Sequence, residues 1–179
     1  MRADDISLSA EDQQIIDSIS RWVEREVRPI ARDFDQKDEY PHALVEQMKE
    51  LGLFGATIGT QYGGLGLSAS TYARIVQEIS SVWMAPTGIF NSHLIMAQAV
   101  ERGGTEAQKA YWLPRFATGE IRGGLGLTEP NAGTDLQGIR LTAVRDGDDY
   151  ILNGTKTWIT NGVYGTCFAV LAKTDPAAE

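Results

Sequence analysis

Apolar residues recur at helical spacing through the first two-thirds of the chain and then switch to alternation. Ile15, Ile16, Ile19, Trp22, Val23, Val27 and Ile30 fall on one face of an amphipathic helix. Ser9 is placed to cap it, with Glu11 and Asp12 in the first turn where negative charge complements the helix dipole. Pro29 inside the pattern predicts a kink or short break, and the charged run from Asp33 to Glu39 ends the segment. A second helix is expected from Pro41, burying Leu44, Val45, Met48 and Leu51 and stopping at Gly52. Beyond a glycine-rich connection, Ser68 or Ser70 opens a third helix with Tyr72, Ile75, Val76, Ile79 and Trp83 inward. The run after Pro86 to Val100 is apolar on nearly every side, as in the central helix of a bundle, and Gly103-Gly104 stops it. Thr105 with Gln108 forms a capping box for a further helix, which Pro114 closes or tightens. The pattern therefore predicts a bundle of about five helices joined by short loops.

From Ile121 the period changes. Asp146-Gly147, Asn153-Gly154 and Asn161-Gly162 are dipeptides that favour hairpin turns. They mark off candidate strands at Ile139 to Arg145, Tyr150 to Leu152, Thr155 to Thr160 and Thr166 to Ala172, the last apolar enough to be mostly buried. The expected fold class is α+β: a helical domain over 1–120, then 121–179 as the first strands of an antiparallel β-barrel or sandwich domain. So few strands leave open edges, so the chain reads as part of a longer protein.

Composition narrows the function classes. With 179 residues, 42% hydrophobic and 22% charged, the chain can bury a sizeable core. A formal charge of −8 with no basic block argues against a nucleic-acid or anionic-membrane surface. No apolar run is long enough to span a bilayer, and the polar start Met1-Arg2-Ala3-Asp4-Asp5 lacks a signal-peptide core, so a cytoplasmic location is expected. One cysteine rules out an internal disulfide, and two distant histidines make no metal site.

Two glycine-rich stretches are candidates for ligand contact. Gly64-Leu65-Gly66-Leu67-Ser68-Ala69 fits a loose dinucleotide pattern, but no strand leads into it and no acidic residue follows at the ribose position. It reads as a helix entry. The stretch Leu125 to Asp135 combines small residues, hydroxyls and a proline, which suits a backbone that approaches a flat or anionic ligand closely. The plain alternative is a loop between a helical layer and a sheet.

The chain resembles the flavin-dependent acyl-CoA dehydrogenase family in four segments taken together. They are Val27-Arg28-Pro29-Ile30-Ala31 with Asp33, Asp35 and Pro41; Gly104 to Lys109 leading to Leu113-Pro114 and Gly119-Glu120; Leu127-Thr128-Glu129-Pro130-Asn131-Ala132-Gly133-Thr134-Asp135; and Tyr150 to Gly154 with Lys156 and Trp158-Ile159-Thr160-Asn161-Gly162. Two positions depart from the family pattern: Thr134 stands where serine is commoner, and Asn131 where glycine is common.

The resemblance implies a helical N-terminal domain, a middle β domain and a C-terminal helical domain missing from these residues. It implies FAD as cofactor, an acyl-CoA substrate in fatty acid or amino acid catabolism, an electron-transfer flavoprotein as partner, and a dimer or tetramer of the full-length chain. A carboxylate would remove the α-proton while the β-hydrogen leaves as hydride to flavin N5. By the same resemblance Leu125, Gly126, Leu127 and Thr128 line the pyrimidine edge of the flavin. Gly133 and Thr134 lie near the pyrophosphate or the thioester, making Thr134 a substrate contact as well. Trp158 stacks beside the ring system, Ile159 lies with it, and Thr160 hydrogen-bonds N5. Trp158 and Thr160, two apart on the supposed strand, would share a face. Glu129, beside Pro130, is read as structural, His93 as a buried, hydrogen-bonded histidine and Cys167 as a small core residue. The catalytic base is expected beyond this chain, which alone should bind flavin weakly or not at all. A related flavin oxidase or monooxygenase, and a non-catalytic subunit or binding module, are the competing readings.

Overall fold

The computed structural model describes residues 8–175. Six α-helices precede four short strands: α1 (Ala10–Trp22), α2 (Arg28–Lys37), α3 (His42–Glu50), α4 (Ala69–Ser80), α5 (Met84–Gly103), α6 (Glu106–Ala117), β1 (Gly123–Gly126), β2 (Thr142–Asp146), β3 (Asp149–Asn153) and β4 (Cys167–Val170). The caps are those that local chemistry dictates. Ser9 and Asp12 exchange hydrogen bonds in a capping box on α1, Thr105 and Gln108 do so on α6, and Ser68, not Ser70, caps α4. Thr71 on α4 then donates to Asp12 Oδ1 at 2.8 Å, tying two helix starts together.

The expected break at Pro29 appears as a π-helical turn over Val23–Val27, one turn upstream, so the first predicted helix is two helices. Pro29 has no N–H to give the carbonyl four residues back, and its ring crowds that carbonyl. The helix absorbs the mismatch by widening, and the Arg28 N–H bonds Val23 O, five residues back. Val23 and Val27 stay buried. Pro41 precedes α3 rather than opening it, and Trp83 precedes α5, which begins at Met84, before Pro86. Pro114 neither ends nor breaks α6, which runs on to Ala117. α5 is not buried all round: Phe90, His93, Leu94 and Met96 are buried, but the apolar Met84 and Ile95 are exposed.

The strands differ more from expectation. β2 and β3 form the predicted hairpin across Gly147, with Ala143 opposite Leu152. The pairing of β1 with β4 is parallel, Gly123 against Cys167 through Gly126 against Val170, so the expected antiparallel order holds for β2 with β3 but not for β1 with β4. Thr155 to Thr160 is not a strand, and no hairpin forms at Asn153-Gly154. β4 is half-buried rather than fully enclosed. Its Cys167 and Ala169 face the helical core while Phe168 and Val170 face away, the alternation a strand imposes.

Two of the three glycines of β1 stand where nothing larger fits. A Cβ on Gly124 would lie 2.7 Å from Ser92 Oγ on α5 and 2.8 Å from the Thr160 carbonyl, and one on Gly123 would collide with the Cys167 carbonyl. β1 is thus pressed between α5, the partner strand and the turn that carries Thr160. Among the described residues no helix is long and apolar enough to cross a membrane.

Candidate functional site

Where β1 ends, two distant segments are clamped together. The Thr157 N–H donates to the Thr128 carbonyl at 2.9 Å, and Lys156 Nζ donates to the Leu127 carbonyl at 2.8 Å. Lys156 Nζ also meets Glu129 Oε1 at 2.9 Å, both side chains being almost fully buried. Glu129 accepts the backbone N–H groups of Arg140 (2.6 Å) and Leu141 (2.9 Å). Burial pushes the Glu129 pKa up, but those amides and the ammonium outweigh it and bring it down to about 2. Fixed as an anion with three donors, Glu129 is structural and is no proton acceptor near neutral pH. Its turn closes through reciprocal backbone bonds with Ala132.

This clamp is why Thr155 to Thr160 does not extend as a strand. The segment meets the Leu127–Glu129 stretch for a single backbone rung and then turns, with Trp158 in left-handed backbone at φ 57°. For a bulky residue that conformation costs of order 1–2 kcal/mol and persists only where surrounding bonds over-determine it. Trp158 and Thr160 therefore do not share a strand face as expected. Trp158 projects outward, 89% exposed.

The turn borders two clefts. One, of about 390 Å³, is lined by Gly126, Lys156, Trp158, Ile159, Gly162, Phe168 and Val170. The other, of about 490 Å³, has Ile159 and Thr160 on one wall and Tyr40, Trp83 and Ile89 from the helical layer on the other. Of the residues singled out in the sequence, Gly126, Trp158 and Ile159 come together in the first cleft, and Ile159 and Thr160 in the second. Leu125, Leu127 and Thr128 continue the chain through Gly126 and are half-buried, while Gly133 and Thr134 are exposed and line neither cleft.

Sequence reasoning passed over two residues that build this geometry. Lys156 holds the clamp, and Asn161 anchors the turn to α5 and β1. Both stood inside the Tyr150–Gly162 segment; the Asn161-Gly162 dipeptide signalled a turn, but the distant partners of a buried cation or of an asparagine amide leave no mark in a single sequence. His93, by contrast, is fully buried as expected. Its Nε2 lies 3.0 Å from the Phe116 carbonyl, with the rings of Phe54 and Phe116 edge-on to it, but Nδ1 has no partner.

Comparison with known proteins agrees with this architecture. Residues 9–120 match the family model for the acyl-CoA dehydrogenase N-terminal domain, and residues 124–179 that for the middle domain. The chain is 38% identical to the (2S)-methylsuccinyl-CoA dehydrogenase of Cereibacter sphaeroides over 94% of its own length and 31% of that protein's. It is 37% identical to a short-chain-specific acyl-CoA dehydrogenase of Clostridium acetobutylicum, over 96% and 45% respectively. A solved glutaryl-CoA dehydrogenase of Mycobacterium smegmatis in complex with FADH2 superimposes with a TM-score of 0.81 at 32% identity, covering 92% of this chain and 43% of that one. The chain spans about a third to just under half the length of the curated relatives it matches. With matched models over nearly its whole length, this chain belongs to the acyl-CoA dehydrogenase family.

Proposed function

We propose that this chain forms one wall of the flavin site of an FAD-dependent enzyme that converts an acyl-CoA thioester to its 2,3-enoyl form and passes the electrons to an electron-transfer flavoprotein. The observation that supports it most directly is the apolar cleft floored by Gly126 and walled by Trp158, Ile159, Phe168 and Val170. An isoalloxazine needs a flat, open, mostly apolar slot with donors at its edges. The residues present fit that need: Gly126 offers no side chain to obstruct the floor, and Trp158 offers a large exposed ring.

When bound, the flavin supplies the hydride acceptor. This chain's own residues do the holding and orienting. Leu125 to Thr128 present backbone along one edge of the slot. Trp158 and Ile159 cover the opposite side, and Thr160 brings a hydroxyl to the same turn. Glu129 and Lys156, both consumed in the clamp, keep the two sides at fixed separation. Glu129, held ionised by its three donors and consumed in the clamp, is too weak a base to take the α-proton, and the family resemblance puts that base outside these residues.

The test is the flavin affinity of the purified gene product, read by visible absorbance and by quenching of tryptophan fluorescence. Trp158→Ala and Gly126→Val should each weaken FAD binding about tenfold or more, the equivalent of roughly 1.4 kcal/mol, without changing the circular dichroism spectrum. Wild-type affinity in both variants would refute the assignment.

A further inference from the structure

The turn that carries Trp158 and Thr160 holds two residues in left-handed backbone, Trp158 at φ 57° and Asn161 at φ 65°. Asparagine tolerates that conformation better than other side chains with a Cβ. What is unusual is where its amide goes. Asn161 Nδ2 donates to the Ile89 carbonyl of α5 at 2.9 Å and to the Gly123 carbonyl of β1 at 2.7 Å. Both amide hydrogens are consumed, one by the helical layer and one by the strand. The Asn161 main-chain carbonyl meanwhile accepts the N–H groups of Tyr164 and Gly165, and the Ile159 carbonyl accepts that of Gly162. The amide cannot be turned over, because that would bring Oδ1 against two carbonyl oxygens. The same bonding leaves Oδ1 buried with no partner. The cost of that orphan is accepted where the two donor bonds fix geometry.

We propose that Asn161 is a positioning residue that sets the width of the flavin slot, acting through the turn it welds to α5 and β1 and not through contact with the ligand. The inference rests on the flavin assignment above for its purpose, though the weld itself does not. One side of the slot is β1 and its exit, Gly123 to Thr128; the other is the Trp158–Thr160 turn. The Asn161–Gly123 bond spans them directly, and the Thr160 carbonyl lies against Gly124, where any side chain would intrude. Losing the amide frees the turn to drift from β1 while the Lys156 clamp still holds its other end.

Two variants separate bonding from shape. Asn161→Gly keeps the left-handed backbone and removes both bonds. Asn161→Asp keeps the shape but sets a carboxylate against two carbonyls. The first readout needs no cofactor: hydrogen exchange at the Gly162, Tyr164 and Gly165 amides should quicken about tenfold or more in both variants while the buried amides of α5 are unchanged. The second uses the FAD-loaded gene product, in which both variants should shift the visible flavin spectrum and weaken FAD about tenfold. Unchanged turn exchange in Asn161→Gly would overturn the weld. Faster exchange with wild-type flavin affinity and spectrum would overturn its role in the slot. If the wild-type protein takes up no flavin, the functional assignment falls and with it the slot role, while the exchange data still decide the weld.

Discussion

His93 gives the sharpest quantitative handle on the helical layer. Burial pushes its pKa down from the ordinary 6.5 to about 4, and Arg122 adds to the effect, while the hydrogen bond to the Phe116 carbonyl opposes it only in part. An unfolded chain takes up a proton at this site as pH falls through 6.5; the folded chain refuses it until about 4. Protons therefore favour the unfolded state across that window, so His93 contributes its full stability above 6.5 and loses it as pH drops toward 4. At about 1.4 kcal/mol per pH unit, lowering pH from 7.5 to 4.5 removes about 2.5 kcal/mol. Against the 5–15 kcal/mol or so of a typical domain, that is a large fraction. The perturbation is His93→Gln, which does not titrate. The Phe116 carbonyl keeps a partner in the variant, because the Gly119 N–H also bonds it. Urea unfolding followed by tryptophan fluorescence at a series of pH values gives the two stability curves. Acid effects of the carboxylates are common to both and cancel in the difference. The wild type should lose about 2.5 kcal/mol relative to the variant between pH 7.5 and 4.5, levelling off below 4. A difference curve flat to about 0.5 kcal/mol would show that the folded protein accommodates an imidazolium at this position and would sink the argument.

Two further outcomes concern the strands. Glu129, whose carboxyl is brought from 4.5 down to about 2, contributes stability above pH 4.5 that is lost as pH falls from there toward 2. Glu129→Gln should remove that part of the acid response, and Lys156→Met should cost less in the Glu129→Gln background than in the wild type; additive effects would mean that the pair is not coupled. Gly124→Ala forces a methyl into contact with Ser92 Oγ and the Thr160 carbonyl and should destabilise by about 1–3 kcal/mol, partly relieved by Ser92→Gly. Thermal unfolding of the three proteins decides it, and an unchanged midpoint in Gly124→Ala would mean that β1 is less tightly held than described.

What could be read from the sequence was what neighbours along the chain decide. Ser9, Ser68 and Thr105 cap helices because their side chains satisfy amides two or three residues on, a purely local transaction. The faces of α3 and α4 followed from periodicity for the same reason. At Pro29 the cause was local but the response appeared a turn away, in the widened turn at Val23–Val27. The run Thr155 to Thr160 is rich in β-branched and aromatic residues like a strand, and such composition cannot register a lysine that reaches back to Leu127 and Glu129. The parallel pairing of β1 was equally invisible, because Gly-Gly-Leu-Gly has no strand propensity and its first two glycines are held by neighbours that leave no room for side chains. In the candidate site, the family motifs pointed to the two segments that the clamp joins. Their flanking anchors, Lys156 and Asn161, act through partners far away in sequence.

The parallel pairing of β1 with β4 also bears on how the protein is made. A hairpin such as β2–β3 closes within microseconds of its residues becoming available, but a parallel partner must wait for the crossover between the two strands to be laid down. β1 leaves the ribosome next to the finished helices and can dock its glycine face on α5 at once, yet its outer edge stays unpaired until Cys167 to Val170 arrive. During that interval the nascent chain exposes an open strand edge beside an apolar layer, the kind of surface that chaperones recognise and that other chains can pair with. Slow translation through the segment after β3 should therefore raise aggregation of this protein, whereas slow translation within the helical layer should not.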